Sequence, residues 1–264
     1  MAFSAAKKQY ALALVLCALA AIAALAATTK LFDSEMSDAP VILIATAASI
    51  AAACRQLPLQ NVLLAASFAA LIGGVAHGLS ANPNLAMPFG LLTFNPNAGW
   101  KIFDAVPWII PLLWIFSLLT SRGVARLILR PWRKQKNYGY SVIGLTAFLA
   151  VGFDLALEPF AAHVKHFWLW HPTKFPYAWH GASPLNFLGW FCITLLMLAF
   201  ATPSLIKKQP GNSGGTEFFS VALWFGALVY FTAGAAAAGF WSAVILNGVI
   251  SSSVAIFCWR GARW

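Results

Sequence analysis

Long apolar runs leave this chain few ways to fold. A bilayer crossing takes about 20 mostly apolar residues. The sequence offers eight candidate stretches: Tyr10–Ala27, Pro40–Cys54, Leu57–Leu79, Ala105–Ser121, Tyr140–Glu158, Pro184–Thr202, Phe218–Ala238 and Phe240–Cys258. The second is short, and only Gly239 separates the last two. The runs are continuous rather than alternating, so the spans are expected to be helices and not barrel strands. Only 9% of the 264 residues are charged and 61% are hydrophobic, where a soluble domain carries roughly a quarter charged. The chain therefore reads as an integral membrane protein, an all-α polytopic helical bundle forming one membrane domain over residues 1–264.

Loop charge tests the number of spans. With Lys7 and Lys8 in the cytoplasm and eight alternating spans, 13 of the 17 basic residues fall inside. Only Lys30, Lys101, Lys165 and Lys174 fall outside. The positive-inside rule thus predicts eight transmembrane helices with both termini cytoplasmic. A rival reading takes Lys7-Lys8, the first apolar run and the ALAA before Thr28 as a cleavable signal peptide. Its removal leaves seven spans that still obey the charge rule. The segment RGVARLILRPWRKQKN, Arg122–Asn137, is expected to lie along the anionic inner leaflet as an amphipathic anchor. Because the net charge of +10 resides in such short loops, it points to membrane lipid as a partner and not to nucleic acid.

Among seven acidic residues, Asp154 and Glu158 stand four apart inside a span and so share a helix face. Two carboxylates this close cannot both ionise cheaply in a low dielectric, and one is expected to keep its proton. That is the arrangement of a general acid beside a general base. The plainer account is a surface pair neutralised by Lys165 or His163, and Glu158 precedes Pro159, which places it toward the headgroups. An ionisable residue within a span is costly, however, and is by default a functional candidate. Asp104 competes with Glu158 as the second acid.

His163 and His166 form HxxH, followed by His171. A metal-dependent oxygenase needs many imidazole and carboxylate ligands, and a single histidine box falls short of that set, so no metal is expected. Trp168, Trp170, Tyr177, Trp179 and Trp190 crowd one region. They read either as an interfacial belt or as faces that hold a cation or a flat apolar substrate. Asn186 is an amide inside an apolar span and needs a hydrogen-bonding reason to be there. Gly73-Gly74 and Ala233–Gly239 offer small surfaces for close helix packing. The four cysteines form no CxxC pair and read as small buried apolar side chains. No Walker loop, GxGxxG, GxSxG or HExxH is present, so nucleotide and serine-hydrolase chemistry find no support.

Two blocks of the sequence resemble a known family. One is MPFGLLTF with the following GWKIFDAVPWIIPLLW, between Met87 and Trp114. The other runs from Asp154 to Trp190, DLALEPFAAHVKHFWLW with YAWHGASPLNFLGW. They are similar to the MPFG and GVP-x-x-IPL-x-W stretches, and to D-x-x-x-DP…W-x-W…Y-x-G-x-P…NF-x-GW, of the integral-membrane carotenoid biosynthesis family that includes γ-carotene 1′-hydroxylase and bisanhydrobacterioruberin hydratase. Here the second acid is Glu158 rather than Asp, Ala105 replaces a Gly, and Ser183-Pro184 stands where Gly-x-Pro is usual.

The resemblance implies addition of water to the terminal double bond of an acyclic carotenoid end, with no cofactor. In that reading Asp154 donates the proton, and Glu158, with Asn186 or His166, positions and deprotonates the water. Trp168, Trp170 or Trp190 would steady the cation, and Tyr177, Phe187 and Asp104 would complete the substrate site. The carotenoid would enter sideways from the lipid, with other carotenoid enzymes as partners. Two other classes stay open. One is a transporter or proton relay through the acids, for which the proline-rich VPWIIP, Val106–Pro111, would break a helix. The other is a carotenoid-binding protein without turnover.

Overall fold

A computed structural model describes residues 38–173, 175–206 and 217–264. The expected first span, its signal-peptide alternative and Lys174 lie outside the described residues. Seven helices follow in order: α1 Ala39–Cys54, α2 Leu59–Ala81, α3 Ile109–Ile128, α4 Tyr138–Pro159, α5 Pro184–Leu205, α6 Glu217–Ala237 and α7 Trp241–Ala262. Six of them are long and apolar enough to cross a membrane, and α1, with 16 residues, is shorter. The protein is thus an all-α integral membrane protein.

The central element is α3, which packs against α1, α2, α4, α6 and α7 and has 78% of its hydrophobic stretch buried. It starts at Ile109, four residues later than the apolar run suggested, because Val106 and Pro107 form a short strand. Pro111 then falls in the first turn, where a backbone N–H has no intrahelical acceptor to lose. The prolines of VPWIIP therefore start this helix and do not break it. At its other end α3 runs on to Ile128, past the expected Ser121.

That extension corrects the amphipathic anchor. The first seven residues of Arg122–Asn137 are the last turns of α3. Arg122 Nη2 donates to the Leu205 carbonyl at the end of α5, 2.6 Å away, and Arg126 Nη1 donates to Gln56 Oε1 at 2.9 Å. These guanidinium groups satisfy polar groups at neighbouring helix ends, where a cation also suits the helix dipole. Only Trp132–Asn137 are exposed throughout.

The lone glycine between the last two spans is a true break. Gly239 takes φ +80°, Gly239 N donates to Ala236 O at 3.0 Å and Phe240 N to Ala235 O at 2.8 Å. This is the paired-bond ending that a left-handed glycine allows. Small residues also act where packing is tightest: a Cβ on Gly73 would overlap the Trp114 indole, so glycine there admits Trp114 between α2 and α3.

Four short strands cap the end of the bundle where α4 finishes. Strand β1 (Leu92–Phe94) pairs antiparallel with β4 (Trp168–Trp170), and β2 (Lys101–Ile102) with β3 (Val106–Pro107). The first of these pairs joins the two sequence blocks that carry the family resemblance.

Candidate active site

Pro159 does not end the path of α4. Proline has no N–H to give the Leu155 carbonyl one turn back. Trp179 Nε1 donates to that carbonyl instead, at 3.0 Å. The chain continues as a π turn over Phe160–Val164, closed by Lys165 N to Phe160 O at 2.9 Å. Glu158, expected toward the headgroups, is consequently 1% exposed, and Asp154 is fully buried.

Asn186 supplies the hydrogen-bonding reason its position demanded. It sits in the first turn of α5, and its Nδ2 lies 2.6 Å from Asp154 Oδ2 and 3.2 Å from Glu158 Oε1, donating to both. The two carboxyl groups thus share one amide nitrogen as donor. Two indoles hold the other side: Trp170 Nε1 donates to Glu158 Oε2 at 2.8 Å and Trp168 Nε1 to the same oxygen at 3.3 Å. Both reach it because side chains alternate along a strand. Trp168 and Trp170 share one face of β4, while Leu169 between them is 62% exposed.

Every donor in this cluster is neutral. Among the described residues no Lys, Arg or His bonds to the acid pair. Lys165, the nearest cation in sequence, lies 3.3 Å from Asp38 instead. Burying two uncompensated negative charges side by side is costly, which favours a pair that retains a proton. Asp154 Oδ1 is buried and accepts no hydrogen bond from any described residue. The cluster therefore sets two buried oxygen acids side by side, with one acceptor atom unused among the described residues.

Behind Asn186 stands an aromatic wall. Trp190 is buried and stacks on Trp114 with ring centroids 3.9 Å apart. Trp114 Nε1 bonds His77 Nδ1 at 3.1 Å, and His77 meets the Phe89 ring at 4.5 Å. The Phe89 ring in turn presses against Gly189, where a Cβ would meet it. Trp114 and His77 were not singled out in the sequence; the only hint was Gly73, whose missing side chain makes room for Trp114.

Other candidates stand elsewhere. His166 is exposed and its Nδ1 meets Ala162 O at 3.2 Å. His163 Nε2 meets His180 O at 2.9 Å, so the two rings of HxxH engage different carbonyls. Asp104 is exposed in the turn between β2 and β3 at φ +55°, and Tyr177 is 79% exposed. Phe187 is half-buried on α5. None of these five residues hydrogen-bonds to the acid pair.

A separate cavity of about 310 Å³ lies against the neighbouring face of α4. Phe153, Leu157 and Phe160 wall it on one side and α1 and α6 on the others, with Asp38 and Tyr230 in its lining. Phe153 and Leu157 each precede an acid by one residue, which is about 100° around the helix. The acid pair and this cavity are therefore on adjacent faces of one helix.

Comparison with known proteins gives one match. The family model described as carotenoid biosynthesis protein covers residues 38–253, most of the chain. No curated protein and no solved structure matches.

Proposed function

We propose, for a chain that belongs to the carotenoid biosynthesis protein family, that it hydrates the terminal double bond of an acyclic carotenoid end group. The protein would do so in the cytoplasmic membrane of a bacterium or archaeon. The observation that carries the reading is the buried Asp154–Glu158 pair, which among the described residues is held by neutral donors alone.

The proton of the pair is delivered by Asp154 to the less substituted carbon of the alkene, and the π electrons form the new C–H bond. A tertiary cation is left on the neighbouring carbon. Trp168 and Trp170 are tethered by their in-plane N–H groups to Glu158, which leaves their π faces for that charge. Water attacks the cation, and the pair, now one proton short, takes the extra proton from the new oxygen. Proton exchange within the pair restores Asp154 to its starting form, and the balance closes with water alone. Asn186 positions both acids through one amide.

The test is pigment analysis by liquid chromatography and mass spectrometry in bacteria that accumulate lycopene or γ-carotene. Expression should yield a more polar pigment heavier by one water, and Asp154→Asn should abolish it. Unchanged pigment from well-folded protein, with both substrates, would sink the reading. The relay reading loses the broken helix that would have supported it, since α3 is continuous from Ile109.

A further inference from the structure

The cavity beside the acid face is a slot lined almost wholly by apolar side chains. Its α6 wall runs from Ala222 to Phe231, about 13 Å at 1.5 Å per residue. Val41, Ile42 and Ala45 form the α1 wall, and Phe153, Leu157 and Phe160 the α4 wall. At the rim, Val41 is 47% exposed, so the slot opens sideways toward lipid. Because α4 and α6 are long and apolar enough to cross a membrane, a chain in the slot lies along the lipid chains.

The polar groups at the slot are already engaged with one another. Tyr230 Oη donates to Asp38 Oδ1 at 2.7 Å, and Asp38 Oδ2 lies 3.3 Å from Lys165 Nζ. Asp38 is 6% exposed and Lys165 1%. A hydroxyl or carboxylate entering here would give up its own hydrogen bonds with nothing arranged to replace them. The slot therefore selects hydrocarbon.

Its aromatic wall narrows the choice further. Ring centroids lie 5.8 Å apart for Phe116 and Phe153, and 5.4 Å for Phe153 and Phe231. Phe160 then meets Phe231 at 5.2 Å and Tyr230 at 5.1 Å. Rings that brace one another in this way form a surface set before a ligand arrives. A flexible acyl chain loses rotamer freedom on such a surface, whereas a conjugated chain is stiff beforehand and loses little. At the end where α4 finishes, Phe167 lines the slot and its ring meets that of Trp168 at 6.2 Å. Trp168 Nε1 in turn bonds to Glu158. The slot thus ends one ring away from the acid cluster.

We propose that the slot seats the terminal stretch of a conjugated isoprenoid hydrocarbon, with its tip at Phe167 beside the acid cluster and the remainder running on into lipid. The choice of a polyene rests on the family to which the chain belongs, and the link to the acids on the function proposed above. An end that has gained a hydroxyl no longer suits the slot, so reaction favours release.

Partition of radiolabelled lycopene between nanodiscs holding the full chain and empty nanodiscs of the same phospholipid reads the site, because the lipid's own acyl chains compete in every disc. Lycopene should be enriched saturably in the protein discs. Squalene, a flexible isoprenoid hydrocarbon, and lycopene carrying a hydroxyl at both ends should each compete about tenfold more weakly, through lost rotamer freedom in one case and an unbonded polar group in the other. Ala45→Phe and Ala227→Phe fill the slot from α1 and α6 and should each remove the enrichment. Asp154→Asn should keep it.

No enrichment over empty discs, or competition by either analogue as strong as by lycopene itself, would overturn the proposal. So would binding that survives both filling variants in folded protein, or binding lost with Asp154→Asn. Pigment analysis reports on hydration separately. Selective lycopene binding without hydrated product would keep this slot and remove only the proposed reaction.

Discussion

Two faces of α4 handle buried acid in opposite ways. On one, Asp154 and Glu158 are held by an amide and two indole N–H groups, with no cation among the described residues at the pair. Beside the other, Asp38 is matched by the Lys165 ammonium and sealed by the Tyr230 hydroxyl. A carboxylate facing an ammonium is a fixed charge pair. Two buried carboxyl groups that face neutral donors lack such a counter-charge, which favours keeping a proton between them. In the proposed reading, the choice of partner separates the acids that react from the acid that only pairs.

The largest expected effect would come from removing the exchangeable proton. Asp154→Asn should lower hydrated product by about 10²–10⁴-fold, the usual worth of a general acid, while the thermal midpoint in detergent holds. If product and midpoint fell together, Asp154 would be a structural acid like Asp38. Next, Asn186→Ala leaves two buried carboxyl groups without their shared donor. A loss of about 1–3 kcal/mol in stability is expected for orphaned buried acceptors, read as a lower thermal midpoint in detergent, with activity falling alongside.

A smaller effect tests the route by which the acid face is built. Trp179→Phe should cost about 1 kcal/mol by freeing the Leu155 carbonyl. In a Pro159→Ala background the same change should cost less, because the new backbone N–H can reach that carbonyl. A double-mutant cycle without coupling would refute the pairing.

The smallest effect lies outside the spans. Burial, reinforced by His163, holds His180 below its ordinary 6.5. The neutral form is favoured in the folded state, so the unfolded chain binds the proton first and stability should fall as pH drops below about 6.5. His180→Gln should flatten that dependence of the thermal midpoint.

The helices and the acid pair were legible in the sequence because both rest on local spacing. Twenty apolar residues announce a span, and two acids four apart announce a shared face. What was illegible depended on contacts between distant residues. Trp168 and Trp170 read as belt or as π surface, and only pairing with Leu92–Phe94 turns their N–H groups onto Glu158. Lys165 read as a neutraliser of the nearby acids, yet it is matched with Asp38 from the start of α1. Pro159 read as the edge of the membrane, since no local rule foretells that Trp179 will serve the carbonyl a proline abandons. Tyr177, His166 and Asp104 were chosen for their chemistry, and the fold leaves all three exposed.

The order of the donors along the chain has a consequence in time. Asp154 and Glu158 are synthesised before Trp168, Trp170 and Asn186, at about 5–20 residues per second from the N-terminal side. For that interval α4 carries two acids with none of the side-chain donors that later hold them, and it is at its least suited to lipid. Its commitment to the bilayer must therefore wait for α5, so the two helices are expected to leave the insertion machinery as a couple, and a chain cut before Asn186 should be cleared rather than retained.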